Sequence, residues 1–131
     1  MPAFTATAPA KIILFGEHAV VYGRPAIAVP VTALRARAIV RPEPRAPHGQ
    51  VRLLAEAIGL DALMDDLNPD HPLRRVVELT ARELGAAYLP ACQITIQSTI
   101  PVASGLGSGA AVSVAVIRAL AAYLGKSLAD E

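Results

Sequence analysis

A glycine-rich segment, PVASGLGSGAA, leads directly into a run of strong helix-forming residues. The first turn of a helix has unpaired backbone N–H groups and carries the positive end of the helix dipole. Gly105, Gly107 and Gly109 remove side chains that would keep a ligand away from those N–H groups, and nearby serines add hydroxyl donors. The pattern favours a site for an anion, phosphate above all, over a flexible loop with a serine cap.

A second group of polar residues lies near the start of the chain, in APAKIILFGEHAVVYG. Lys11 precedes an apolar run, and Glu17 and His18 follow Gly16, where the chain can turn and direct both side chains at one cleft. A lysine can neutralise phosphate charge or lower the pKa of a hydroxyl, and the other two can hold polar substrate groups. Taken alone, the three residues are equally well explained as an ion pair and a turn histidine on the surface.

Two familiar nucleotide motifs are absent from these segments. The glycines follow G-x-G-x-G, and not the G-x-G-x-x-G pattern of a dinucleotide-binding fold. GKS at residues 125–127 resembles the end of a P-loop, but Leu120 stands where that motif requires glycine.

The elements that position these residues can be read from periodicity and turn signals. Strands are expected at residues 4–8, 11–16, 34–42, 51–55 and 92–101, a hairpin turn at 23–25, and helices at 72–84 and 110–124 that stop at Gly85 and Gly125. This order of elements predicts a single α+β domain: several strands come first, and a helix, a strand, a glycine loop and a second helix follow. We expect its helices to pack on one face of a largely antiparallel sheet.

Two charged segments admit alternative interpretations. Four aspartates between residues 58 and 72 suggest a metal, but their spacing matches no calcium loop, and a short acidic helix and loop is favoured. Arg35, Arg37 and Arg41 alternate with apolar residues, as in an edge strand or a strand exposed on one face. They are interpreted as a solvated strand face in preference to a phosphate-binding patch.

Composition excludes several classes of protein. The 131 residues are 53% hydrophobic with a net charge of +1, which argues against nucleic-acid binding. Cys92 is the single cysteine and is expected to be buried and reduced. Neither a secretory signal nor an apolar run of membrane-spanning length is found, so a cytoplasmic protein without membrane partners is expected. The sequence is compatible with a homodimer but does not fix the oligomeric state.

Together, the two polar segments resemble the GHMP kinase family, which includes galactokinase and the homoserine, mevalonate and phosphomevalonate kinases. PAKIILFGEHAVVYG is similar to the N-terminal motif of its mevalonate kinases almost residue for residue, and PVASGLGSGAA is similar to the family's ATP phosphate loop. The order and spacing agree over roughly the whole chain, although the specific motifs occupy its two ends.

The resemblance implies a fold like domain 2 of ribosomal protein S5 and transfer of the γ-phosphoryl group of ATP, with Mg²⁺, to the 5-hydroxyl of mevalonate. In this interpretation Lys11 is catalytic, and Glu17 and His18 bind the substrate. The ATP phosphates are expected to contact Pro101, Ser104, Gly105, Leu106, Gly107, Ser108, Gly109, Ala110 and Ala111.

This sequence departs from the family pattern in two ways. Gly109 stands where mevalonate kinases have a second serine that ligates Mg²⁺, so Ser108 is the candidate substitute. The family's downstream motifs, with the catalytic aspartate and the Mg²⁺ glutamate, have no counterpart. Residues 1–131 are therefore interpreted as the N-terminal GHMP domain, inactive alone and without the C-terminal GHMP domain. A phosphomevalonate kinase, another GHMP kinase or a non-catalytic nucleotide- or metabolite-binding module are the alternatives.

Overall fold

The computed structural model describes the backbone of residues 3–15, 23, 27–86, 89–100 and 108–126. These ranges form an α+β unit with the elements β1 (Phe4–Phe15), β2 (Ile27–Pro42), β3 (Val51–Ala55), β4 (Leu60–Leu63), α1 (Pro72–Glu83), β5 (Cys92–Ser98) and α2 (Ser108–Tyr123). Short 3₁₀ turns at Glu56–Ile58 and Met64–Asp66 flank β4. The α+β class expected from the sequence is confirmed.

The five strands form one mixed sheet in the order β1-β2-β5-β3-β4. Three neighbouring pairs are antiparallel, and β3 and β5 are parallel. Between β3 and β5 the chain passes through β4 and α1. This connection is long enough for β5 to run in the same direction as β3, so the two strands pair in parallel.

β1 is a single strand, where the sequence predicted two segments interrupted by Pro9. Because β1 lies at the edge of the sheet, one side of its backbone needs no ladder partner, and a proline without an N–H is tolerated there. The pairing shifts at this point from Pro9↔Arg35 to Ala10↔Val31, so residues 32–34 of β2 bulge out without a partner on β1.

The core lies between one face of the sheet and the two helices. Alternate residues of β2, Ala36, Ala38 and Val40, are fully buried, and matching positions of β3 and β5 join them in the same cluster with α1 and α2. α2 packs across β1 and β2, and α1 packs against α2. The opposite face of β2 carries exposed arginines, so the strand is exposed on one face as expected, but it is not an edge strand.

Both helices end as their glycines predicted. Gly85 and Gly125 have φ of 79° and 68°, a left-handed conformation in which glycine has no steric cost. The residue after each glycine then donates its backbone N–H to a carbonyl of the last helical turns. Ala86 donates to Ala81 and Lys126 donates to Ala121, both at 2.8 Å.

The aspartate-rich segment contains an unexpected strand, β4. Asp61 lies in β4 and its carboxylate accepts hydrogen bonds from Arg52 on β3, with a shortest N–O distance of 2.7 Å. Asp70 lies 3.7 Å from the guanidinium of Arg75. The acidic side chains that suggested a loop therefore include one that supports strand pairing.

In the described ranges, neither helix has the length and apolar character needed to span a membrane.

Candidate functional site

The register of the sheet places Lys11 and the end of β5 at one end of the sheet. Ala8 of β1 is level with Ala36 of β2, which is level with Ser98 at the end of β5. β1 and β5 run in the same direction, because each is antiparallel to β2. Lys11 therefore lies on the part of β1 that continues past the end of β5, where the chain leaves towards the glycine-rich segment. We call this region the open end of the sheet.

Lys11 is held in position by its neighbours on the strand. It pairs with Pro30 of β2 and is partly buried, while the adjacent Ala10 is fully buried against the core. The backbone that carries the Lys11 amine is thus held by strand pairing. A lysine on a loop would lack this support.

The exit of β5 at the open end is fixed by a cross-strand link to β2. The N–H of Thr99 donates to the carbonyl of Arg35 at 3.0 Å, and the Arg35 N–H donates to Thr99 Oγ1 at 3.0 Å. Ile100 follows with its side chain buried, and its N–H donates to Ser98 Oγ. These contacts set the point from which residues 101–107 must reach the start of α2.

The first turn of α2 presents small residues. Gly109 and Ala110 are exposed, whereas Ala111 is buried in the core. Apart from its chain neighbours and the backbone of its own helix, a Cβ placed on Gly109 would meet no atom of the described residues within 4 Å, so these residues leave the space beside its backbone open. Ser113 donates its hydroxyl hydrogen to the Gly109 carbonyl at 2.9 Å, which supports this turn from inside the helix. A ligand can approach the backbone here without displacing a side chain.

A cavity of about 180 Å³ adjoins this helix start. It lies between the ends of β3 and β5 and the first turns of α1 and α2, and Ile58, Ile96, Ile100 and Val112 supply apolar walls. Ser98 and Ser113 also line it. An apolar slot with a few polar groups beside a helix N-terminus suits a planar ring linked to an anionic group.

Several residues predicted for the site lie outside the described residues. They are Glu17, His18 and all of residues 101–107, and for Ser108 only the backbone is described. The structure therefore places Lys11, Gly109, Ala110 and Ala111 at one end of the sheet and leaves the positions of the others as predictions.

The described residues do not supply a metal centre. They contain no cluster of three or more histidine, cysteine, aspartate or glutamate side chains able to hold a metal ion. Gly109 offers no oxygen ligand except its carbonyl, which already accepts the Ser113 hydroxyl. This donor set does not fit a Mg²⁺ site by itself, and no chemical step is assigned to a metal here.

Sequence reasoning missed the apolar cavity and the Arg35–Thr99 link. Both depend on contacts between residues far apart in the chain, and neither Ile58 nor Thr99 belongs to a recognisable sequence motif. The alternation of Arg35 and Arg37 on β2 was a visible signal of a polar sheet face, but these arginines do not line the apolar cavity.

Comparison with known proteins finds similarities to one family of kinases. Residues 71–131 match the model of the GHMP kinases N terminal domain. The mevalonate kinase of Archaeoglobus fulgidus is 44% identical over 115 residues, an alignment that covers 88% of this chain and 36% of that protein. The mevalonate kinase of Pyrococcus horikoshii is 37% identical over 141 aligned positions, covering 96% of this chain and 40% of that protein.

A solved structure agrees in fold. The crystal structure of the Methanococcus jannaschii mevalonate kinase superposes with a TM-score of 0.84 at 26% identity, covering 98% of this chain and 43% of that one. This chain spans about two fifths of the length of the relatives it matches.

Proposed function

We propose that the chain is a member of the GHMP kinase family and forms the part of a mevalonate kinase that binds ATP and mevalonate. The observation that carries the proposal is the sheet register, which brings Lys11 and the start of α2 to the same end of the sheet. An acceptor beside the lysine and a phosphate tail at the helix start then lie at the same end of the sheet.

We assign the ATP phosphates to the segment from Pro101 to Ala111. The open space beside Gly109 and the dipole of α2 favour an anion in contact with backbone N–H groups. The adjoining apolar cavity gives the nucleotide base a place within reach of the same helix start. Phosphates and base are thus held by two neighbouring parts of one unit.

We assign the acceptor to the N-terminal motif. Lys11 orients the 5-hydroxyl of mevalonate electrostatically, and Glu17 and His18 bind the rest of the substrate. Phosphoryl transfer depends mainly on positioning and on compensating the charge of the transferred group, which a fixed ammonium group can provide. The support for this assignment is the motif and the rigid position of Lys11 on β1.

The metal and the remaining catalytic groups are proposed to come largely from outside this chain. Mg²⁺ would accompany ATP, with Ser108 as the one candidate ligand in these residues. Residues 1–131 correspond to the N-terminal GHMP domain, with an S5 domain 2-like fold, and the C-terminal GHMP domain lies outside them. We therefore expect these residues to bind ATP without turnover. A cytoplasmic location and a possible homodimer complete the proposal.

Nucleotide and acceptor specificity provide the test. The polypeptide of the complete reading frame is assayed with ATP and, in turn, mevalonate, phosphomevalonate, galactose and homoserine. We expect phosphorylation of mevalonate in strong preference to the other three. Turnover of another substrate with none of mevalonate would refute the assignment of the acceptor and leave the ATP site standing.

A non-catalytic nucleotide-binding module is the second candidate. It is favoured by the lack of a carboxylate cluster among the described residues and by Gly109 at the expected serine position. The reading frame after Glu131 distinguishes the two. A carboxylate-bearing segment followed by another glycine-rich loop supports the kinase, and a stop codon supports the binding module.

A further inference from the structure

A second polar cavity lies on the face of the sheet opposite α1 and α2. It has a volume of about 410 Å³, and its lining includes Thr7 of β1, Arg35 and Arg37 of β2, and Gln97 and Thr99 at the end of β5. These residues alternate with core residues along their strands, so they point away from the helices.

The bulge in β2 creates the concave shape. Residues 32–34 have no partner on β1, and Ala33 lines the cavity. The carbonyl of Thr32 accepts a hydrogen bond from Arg35 Nε at 3.0 Å, and an Arg35 terminal N–H reaches Thr7 Oγ1 at 3.4 Å. The Arg35 guanidinium is therefore oriented before any ligand arrives.

Arg37 lies in the centre of this surface. It pairs in register with Thr7 on one side and Gln97 on the other, and within the described ranges its guanidinium has no ion-pair partner. Arg52, on the same face two strands away, differs because it is neutralised by Asp61 at 2.7 Å. As far as the described residues go, Arg37 has its five N–H donors available.

The charged residues that line the cavity are all positively charged. Arg35 and Arg37 are two positions apart on one strand and so lie on the same face, and no carboxylate is among the lining residues. Two like charges held side by side are unfavourable, and an anion bridging them relieves the repulsion. Planar guanidinium groups are suited to paired hydrogen bonds with phosphate or carboxylate oxygens.

We propose that this cavity is a binding site for a small multivalent anion of the phosphate or diphosphate class, separate from the start of α2. Arg37 is its principal ligand, Arg35 a pre-oriented second cation, and Gln97 and the threonine hydroxyls complete the donor set. Arg35 is also hydrogen-bonded to Thr99, so the site adjoins the point where β5 ends.

The test uses the 131-residue chain and inorganic pyrophosphate, followed by NMR through backbone amides and the Gln97 side-chain amide. We expect saturable shifts at Arg37 and Gln97 that persist in Gly109→Leu, a variant that blocks the start of α2. Arg37→Gln should raise the dissociation constant at this site about tenfold, the effect of removing a charged two-point contact.

Arg41→Gln is the matched control, since Arg41 is exposed on the same face of β2, carries the same charge and does not line the cavity. It should change the dissociation constant less than twofold. Equal weakening by both substitutions would mean a diffuse charge effect and would overturn the proposal. Shifts confined to residues 109–113, or no saturable binding, would overturn it as well, without affecting the kinase assignment.

Discussion

The two ends of the sheet are built differently. At the open end, β1 continues past β5 through Lys11, Gly109 has empty space beside it, and an apolar cavity adjoins the start of α2. At the opposite end, which we call the closed end, Pro42 pairs with Cys92, and Tyr123 in the last turn of α2 contacts Phe4 of β1.

Several polar groups at the closed end form hydrogen bonds with other residues of the chain. The Glu43 N–H donates to the Ala91 carbonyl at 2.9 Å and the Cys92 N–H to the Gln50 carbonyl at 3.0 Å. The hydroxyl of Tyr123 lies 3.3 Å from the carbonyls of Pro90 and Ala91. Its ring meets Phe4 edge to face, with centroids 5.6 Å apart.

The difference separates structural residues from ligand-binding residues. The backbone groups named at the closed end bond to one another or to Tyr123, so these contacts contribute to stability. The described part of the open end combines small residues, a partly buried amine and an apolar cavity, which are features that a ligand completes. Substitutions at the two ends should therefore affect different measurements.

The largest expected effect is on the reactivity of Cys92 at the closed end. Burial, with a smaller contribution from the charge of Glu43, raises the pKa of this thiol from 9.0 to about 12. Three pKa units correspond to about 1,000-fold less thiolate at neutral pH. We expect alkylation of the native chain at pH 8 to be slower than that of the unfolded chain by about this factor. Comparable rates would contradict the burial of Cys92 in the folded chain.

The same shift predicts how stability depends on pH. The folded-state pKa of Cys92 is raised above the unfolded value, so its contribution is fully present below pH 9 and is lost as the pH rises towards 12. The free energy of unfolding should fall over this range, and it should fall less in Cys92→Ala. Urea titrations of both chains at pH 8, 9.5 and 11 measure the difference.

Next in size is the loss of catalysis expected for Lys11→Met in the complete polypeptide. Removing a charge aimed at the transferred group should lower kcat/KM for mevalonate about 100-fold or more, while ATP affinity changes little. Lys126→Met, at an exposed position after α2, is the control. An equal loss in both variants, or none in Lys11→Met, would remove Lys11 from the site.

A smaller effect is expected for Gly109→Leu. The side chain would occupy the open space beside the helix start and displace a charge-assisted hydrogen bond worth about 2 kcal/mol, so ATP should bind about 30-fold more weakly. Calorimetry with the 131-residue chain measures this. Ala122→Leu adds the same side chain at an exposed position near the other end of α2 and should leave ATP binding unchanged. Unchanged affinity in Gly109→Leu would argue against phosphate contacts there.

The smallest effect is expected for Tyr123→Phe. The substitution keeps the ring contact with Phe4 and removes a hydroxyl whose two carbonyl contacts are long, so stability should fall by about 1 kcal/mol or less. Thermal unfolding measures the change, and ATP affinity should stay the same. A loss of ATP binding would show that the two ends are coupled.

The elements predicted well from sequence are those whose signals are local. The helical spacing before Gly85 and Gly125 and the alternation in CQITIQS each lie within a few turns of chain, and the structure has α1, α2 and β5 there. β4 was missed because its segment, which includes Asp61, was expected to form a short acidic helix and loop. Its pairing with Arg52 is a contact between strands that a one-dimensional pattern does not contain.

The site was predictable in its residue types and less so in its geometry. The motifs indicated Lys11 and the glycine segment, but that they share one end of the sheet follows from the pairing of Ala8, Ala36 and Ser98 across three strands. The bulge at residues 32–34 likewise depends on register. Long-range pairing of this kind decides which motif residues can meet.

The most direct test of the central claim is an ATP titration of the 131-residue chain followed through its backbone amides by NMR. If the open end is the nucleotide site, the largest shifts will fall on residues 108–113, Ser98 and the neighbourhood of Lys11, with Cys92 and Tyr123 unchanged. Shifts centred on Cys92 and Tyr123, or no saturable shift at the start of α2, would contradict the account.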